Sequence, residues 1–70
     1  MAFSELIKSI RVQLGITQEQ LAHKLNVSFS TINRWENGHT IPKKLAIKCI
    51  IEFCRKNAID TAIIAELEKL

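Results

Sequence analysis

The sequence has little of what breaks, bridges or anchors a chain. One proline, two glycines and two cysteines occur in 70 residues. No apolar run approaches the ~20 residues that span a bilayer, because Lys, Glu, Gln or Asn interrupts every few positions. No basic segment followed by an apolar one stands at the start, so no secretory signal is visible and the cytoplasm is the expected location. There is no glycine-rich phosphate loop, no carboxylate pair with a plausible cleft and no Cys–His pairing, and a chain this short encloses no substrate. These absences exclude an enzyme, a small-molecule substrate and a bound cofactor from the expectations. Cys49 and Cys54 are separated by four residues with no His pair nearby, which excludes a tetrahedral metal site. Both are expected as reduced core cysteines, acting as small hydrophobes in an apolar helical stretch. His23 and His39 fall on different segments without a third ligand and are expected at the surface.

What is present is a hydrophobic fraction of 47% and a net charge of +3. At this length only about 60% of the unfolded surface can be buried, so the core must be small and densely apolar. The charge is uneven. Residues 1–56 carry nine Lys/Arg and four Asp/Glu, and residues 57–70 carry one and three. A basic body with a slightly acidic tail suits a polyanion bound away from the C-terminal end, although a solvated mixed surface would look similar.

The periodicity is helical throughout. Alternation of β-branched residues never lasts, and the rare glycines and proline stand where helices stop or start. Phe3, Leu6, Ile7, Ile10 and Leu14 form one apolar stripe, and Gly15 closes that helix. Thr17 and Gln20 make a capping box for a second helix with Leu21, Ala22 and Leu25 on its buried face, stopped by Asn26. Ser28 caps a third helix, roughly Phe29 to Asn37, with Val27 and Ile32 spaced as a hydrophobic staple. Ile32 and Trp35 point inward, which leaves Phe29, Ser30, Asn33, Arg34 and Asn37 outside. Gly38 terminates it. Pro42 suits the first turn of a fourth helix whose buried stripe is expected at Leu45, Ala46, Cys49, Ile50, Phe53 and Cys54. Asn57 ends that helix and Asp60 caps a fifth, with Ile59 and Ile64 as a staple and Ile63, Leu67 and Leu70 on the apolar side. No repeat, low-complexity segment or linker divides residues 1–70, so one domain is expected.

Two short helices joined by a tight break, residues 17–38, within a bundle of about five form a helix-turn-helix pattern. Arg11, Gly15, Thr17-Gln18, Leu21-Ala22, Val27-Ser28, Ile32 and Glu36-Asn37-Gly38 together resemble the phage repressor and Cro-like (Xre) helix-turn-helix family, over roughly residues 6–50. The resemblance implies an all-α, lambda repressor-like DNA-binding fold in a prokaryote or phage. It implies a transcriptional regulator of the repressor kind, bound as a homodimer to a palindromic double-stranded operator.

By the same resemblance, Phe29, Ser30, Asn33 and Arg34 occupy base-reading positions: Phe29 against a thymine methyl, Asn33 to adenine, Arg34 to guanine or phosphate, Ser30 to either. Phe29 has an alternative, packing on its own domain or on a neighbour. Thr17, Gln18, Thr31, Asn37, His39, Lys43 and Lys44 fall where the family grips phosphates, and Arg11 and Glu36 where it forms a partly buried ion pair. Asn26 departs from the glycine frequent in the turn, and the last two helices carry no matching motif. Residues 60–70 are rich enough in apolar side chains to dock within the chain or to face a second subunit. A second reading keeps the fold but makes it an antitoxin-like or adaptor module that binds protein.

Overall fold

Helix boundaries fall where a side chain accepts from free amides, as at Thr17, Ser28 and Asp60, or where a left-handed residue lets the next amide fold back, as at Gly15 and Asn26. Only the helix that follows Lys43 begins with neither a side-chain cap nor a capping box. In the computed structural model, which describes residues 1–70, these signals delimit α1 (Phe3–Leu14), α2 (Gln18–Leu25), α3 (Phe29–Glu36), α4 (Lys44–Lys56) and α5 (Thr61–Glu68). No strand is present, and no helix is long and apolar enough to cross a membrane.

The caps carry the expected chemistry. Thr17 Oγ1 accepts from the Gln20 amide at 3.1 Å while Gln20 Oε1 accepts from the Thr17 amide at 2.9 Å. Ser28 Oγ accepts from the Thr31 amide at 3.1 Å, and Asp60 Oδ1 from the Ala62 amide at 2.9 Å. Gly15 and Asn26 close α1 and α2 in the left-handed conformation, with φ of 64° and 59°. At both closures the next amide folds back: Ile16 donates to the Arg11 carbonyl and Val27 to the Ala22 carbonyl.

Fifteen buried apolar residues form one core. Phe3, Leu6, Ile7 and Ile10 supply α1's share, Leu21 and Ala22 that of α2, and Ile32 and Trp35 that of α3. The Phe3 and Trp35 rings meet edge to face, with centroids 5.6 Å apart. α1 packs against α3 and α5, α2 against α3, and α4 against α5.

The fourth helix corrects the sequence reading. Its buried residues are Ile47, Ile50, Ile51 and Cys54; Leu45 is 75% exposed, Cys49 is exposed and Phe53 only half-buried. The true stripe is turned by about 100°, one residue of a helix, from the expected one. Ile47 and Ile51 complete an i, i+3, i+4, i+7 pattern with Ile50 and Cys54, a narrower seam than the alternative and one that α5 covers. Pro42 also lies outside the helix. Lys43 is the N-cap, in extended conformation, and Thr40–Lys43 forms an irregular bridge from α3 to α4. The fixed φ of proline and its bias toward extended backbone in the preceding residue suit such a bridge.

In the last helix Ile63 and Leu67 are buried together with Ile59, Ile64 is partly buried, and Leu70 is exposed. Most of the apolar side chains in residues 59–70 are therefore used within the chain. Leu70 lies beyond the end of α5 and does not join the seam. Asn57 ends α4 as expected, but the left-handed turn after it falls on Ala58, with φ of 54°.

Candidate nucleic-acid interface

A carboxylate inside a small apolar core must be paired, and Glu36 is the only charged side chain buried there. It sits on the last turn of α3, and Arg11 reaches it from α1. Arg11 Nε meets Glu36 Oε2 at 2.8 Å and Nη2 meets Oε1 at 3.1 Å, a two-pronged contact. The third nitrogen, Nη1, donates to the Ile16 carbonyl at 3.3 Å, so the guanidinium also fastens the turn between α1 and α2. Burial opposes the charge on Glu36, yet hydrogen bonds from Arg11 and Gln18 and the attraction of Arg11 and Lys8 outweigh it. The carboxyl is held below its ordinary 4.5. The hydrogen bond to Glu36 likewise raises Arg11 above its usual range against the cost of desolvation.

Gln18, the first residue of α2, links this pair to the outer face of α3. Its Nε2 donates to Glu36 Oε1 at 3.1 Å and its Oε1 accepts from Asn33 Nδ2 at 3.2 Å. Asn33 Oδ1 in turn accepts from Asn37 Nδ2 at 3.0 Å. Two helices separated by a turn are thereby locked together by polar contacts as well as by Leu21, Ala22 and Ile32.

The match to known proteins falls on this part of the molecule. Residues 7–58 match the family described as Helix-turn-helix. The chain belongs to that family, in its phage repressor and Cro type. An HTH-type transcriptional activator, BcrR of Enterococcus faecalis, is 42% identical over 53 residues, 76% of this chain and 26% of the activator. A type II methyltransferase, M1.ScrFI of Lactococcus lactis subsp. cremoris, is 43% identical over 53 residues, 71% of this chain and 14% of that protein. The chain thus spans about a quarter and about a seventh of the two relatives' lengths. No solved structure gives a significant match.

Within this helix-turn-helix frame, α2 and α3 are the motif's two helices and Asn26 to Ser28 their turn. Phe29, at the start of α3, is 48% exposed. With Arg11, Thr17, Gln18 and Gln20 it borders an open groove of about 750 Å³ at the N-terminal end of α2. Ser30 and Arg34 are exposed, and Arg34 has no ion-pair partner. Asn33 is half-buried, which follows from its contact with Gln18. Ser28 Oγ lies 2.8 Å from Thr31 Oγ1 and 3.4 Å from Ser30 Oγ, so the hydroxyls at the start of α3 form one cluster.

The residues assigned to phosphate fall in two groups. Thr17 and Gln18 stand at the start of α2, where the amides of Gln18 and Glu19 have no internal acceptor. Asn37, His39, Lys43 and Lys44 lie exposed at the end of α3, along the bridge and at the start of α4. Thr31 is half-buried within the hydroxyl cluster, between the two groups in sequence and in neither.

Sequence reasoning missed the internal role of Gln18. Gln18 is separated by 15 residues from Asn33 and by 18 from Glu36, and no periodicity within one helix predicts a contact across two. It also missed the exposure of two apolar residues: Ile41, 72% exposed, and Leu45, which lines an apolar hollow of about 400 Å³ together with Leu25, Val27, Trp35 and Ile50. Helical periodicity had assigned Leu45 to the core.

Proposed function

We propose that this chain is a sequence-specific double-stranded DNA-binding unit of a transcriptional regulator, with α3 entering the major groove. The observation that carries the reading is the composition of α3's uncovered face. Ile32 and Trp35 fasten the helix inward, while Phe29, Ser30 and Arg34 are exposed and Asn33 stands at the edge. This set offers a thymine-methyl contact, a hydroxyl, an amide and a guanidinium, the groups that distinguish base edges in a major groove about 12 Å wide. Membership of the helix-turn-helix family and the basic balance of residues 1–56 support it.

In this reading Thr17, Gln18, Asn37, His39, Lys43 and Lys44 grip phosphates on either side of α3, with Thr31 a further phosphate contact. Arg11 and Glu36 are spent on structure and do not add to the footprint. The unit acts as a homodimer on a palindromic operator with half-sites about 34 Å apart, as part of a cytoplasmic regulator of the repressor kind. The activator among its relatives leaves the direction of regulation to experiment.

Selection of bound sites from random DNA, with a mass measurement in solution, tests the proposal. Recovered palindromes and binding that weakens by about 0.9 log units per log unit of salt for each phosphate contacted support it. Arg34→Ala is expected to relax one base position, whereas Lys43→Ala weakens all sequences alike. Equal loss on selected and random DNA for Arg34→Ala removes the base-reading role.

The second reading, an adaptor that binds protein through the same fold, is favoured by one observation: Phe29, Ile41 and Leu45 are large apolar side chains left exposed. Salt-insensitive capture of a protein partner and no enriched DNA site would select it.

A further inference from the structure

The Glu36–Gln18–Asn33–Asn37 chain of contacts has a direction, and the direction originates in the core. An ionised carboxylate only accepts hydrogen bonds, so the end of the Gln18 amide that faces Glu36 Oε1 must be its NH2. The amide is planar, and its oxygen is thereby turned toward α3. Whatever group of Asn33 meets that oxygen must donate, which makes it Nδ2. Asn33 Oδ1 is then turned to Asn37 and accepts from it. Reversing the Asn33 amide would set oxygen against oxygen at Gln18, whose own orientation Glu36 fixes, and that hydrogen bond would be lost, whereas the exposed Asn37 amide can turn to follow Asn33. An isolated surface asparagine has two nearly equivalent amide orientations; this one has a single favoured orientation.

We infer that Gln18 is a specificity-determining positioning residue: it transmits the polarity of the buried Glu36 carboxylate to Asn33 and fixes which side of that amide donates and which accepts toward a base edge. The inference deepens the DNA-binding reading and rests on it. Held this way, Asn33 keeps one N–H and one oxygen lone pair unspent, the complement of the N7 acceptor and N6 donor of adenine. The sense of presentation is set before DNA arrives, so no choice between amide orientations has to be made on binding. Gln18 retains one N–H of its own for a phosphate, and the two roles are compatible.

The two halves of the inference are separable by experiment. In the free protein, NMR relaxation of side-chain amides reads the relay directly. The Asn33 NH2 is expected to be rigid in the wild-type chain and mobile in Gln18→Met, which keeps the length of the side chain without donor or acceptor. Gln18→Ala is the second variant, and cooperative thermal unfolding checks that each remains folded. Unchanged Asn33 mobility in both overturns the relay.

In selection from random double-stranded DNA, Asn33→Ala identifies the base position that Asn33 reads. At that position Gln18→Met is expected to reduce a preference of about tenfold to less than about threefold, with preferences at the Phe29 and Arg34 positions retained. Combining Gln18→Met with Asn33→Ala is expected to cost no further preference there, the signature of two residues acting through one contact. A uniform loss across all sequences with an intact preference profile overturns the positioning role and leaves Gln18 a phosphate contact. A wild-type chain that selects no site overturns the DNA reading and the specificity role together, while the amide mobilities still report whether the relay exists.

Discussion

Two ion pairs with the same 2.8 Å separation divide this molecule. Arg11–Glu36 joins α1 to α3 with side chains 23% and 2% exposed; Arg55–Glu68 joins α4 to α5 with side chains 57% and 51% exposed. The first also holds Gln18 and the Ile16 carbonyl, whereas the second is an isolated surface contact. The front of the molecule, α1 to α3, is thus fixed by a buried polar network as well as by packing. The back, α4 and α5, is fixed by the apolar seam of Ile47, Ile50, Ile51, Cys54, Ile63 and Leu67. Polar contacts have direction and fix a geometry; apolar contacts fix a burial pattern. The surface proposed to read DNA is built on the half that has both.

The largest expected effect lies in that contrast. Arg11→Ala should destabilise the fold by about 3–5 kcal/mol, because it leaves the Glu36 carboxylate buried and lacking its charge partner. Arg55→Ala should change stability by at most about 1 kcal/mol. Urea unfolding of the two variants measures both, and equal losses would erase the distinction between the halves. The same pair predicts an acid dependence. The folded chain holds Glu36 below 4.5, so the unfolded chain takes up that proton first. The pair's contribution is complete above the unfolded value and is lost as pH falls from there through the folded one. Glu36→Gln should flatten the decline in unfolding midpoint below about pH 4.5. A slope unchanged from wild type would show that other carboxylates dominate acid unfolding.

The next effect tests the back half by the register of α4. Ile47→Ala should cost about 2–4 kcal/mol as a core truncation, and Leu45→Ala within about 0.5 kcal/mol. The cysteines give the same answer chemically. Cys49 is exposed, while Cys54 is fully buried and its thiol pushed by desolvation to about 11. Iodoacetamide should therefore modify Cys49 in the native chain and reach Cys54 only on unfolding. The opposite order of reactivity, or a costlier loss at Leu45 than at Ile47, would restore the stripe that the sequence suggested.

That α4 was misread and α1 to α3 were not has a physical cause. Around the motif the sequence is densely marked. Gly15, Thr17, Gln20, Asn26 and Ser28 each tolerate or satisfy something specific at a helix end, and between such marks Leu21, Ala22 and Ile32 have only one face to occupy. Eight of the thirteen residues of α4 are apolar, and the charges Lys48, Glu52 and Arg55 share a face without choosing between its two apolar flanks. Leu45 and Cys49 lie on one flank, Ile47 and Ile51 on the other. Only the position of α5 decides, and α5 is known from tertiary packing alone. The Gln18 relay was illegible for a related reason: each of its contacts crosses between helices. The resemblance placed Gln18, Asn33 and Asn37 at one surface but carried no information about how they bond to each other.

The smallest effect sharpens the comparison at two left-handed helix ends, one taken from each half. At the end of α1 the sequence supplies glycine, and a Cβ added to Gly15 would meet no heavy atom within 4 Å. Gly15→Ala therefore reports the backbone cost alone, about 1 kcal/mol of destabilisation. At the end of α4 the corresponding turn falls on Ala58, with φ of 54°. There the chain accepts that cost so that the Ile59 amide can return to the Cys54 carbonyl at 3.0 Å and Ile59 can enter the core. Ala58→Gly should relieve the strain at the price of a more flexible unfolded chain, a net gain of about 0.5–1 kcal/mol. A rise in the thermal midpoint of a few degrees would register it. A fall would mean that the Ala58 methyl group contributes more by contact or by restricting the unfolded chain than its backbone conformation costs.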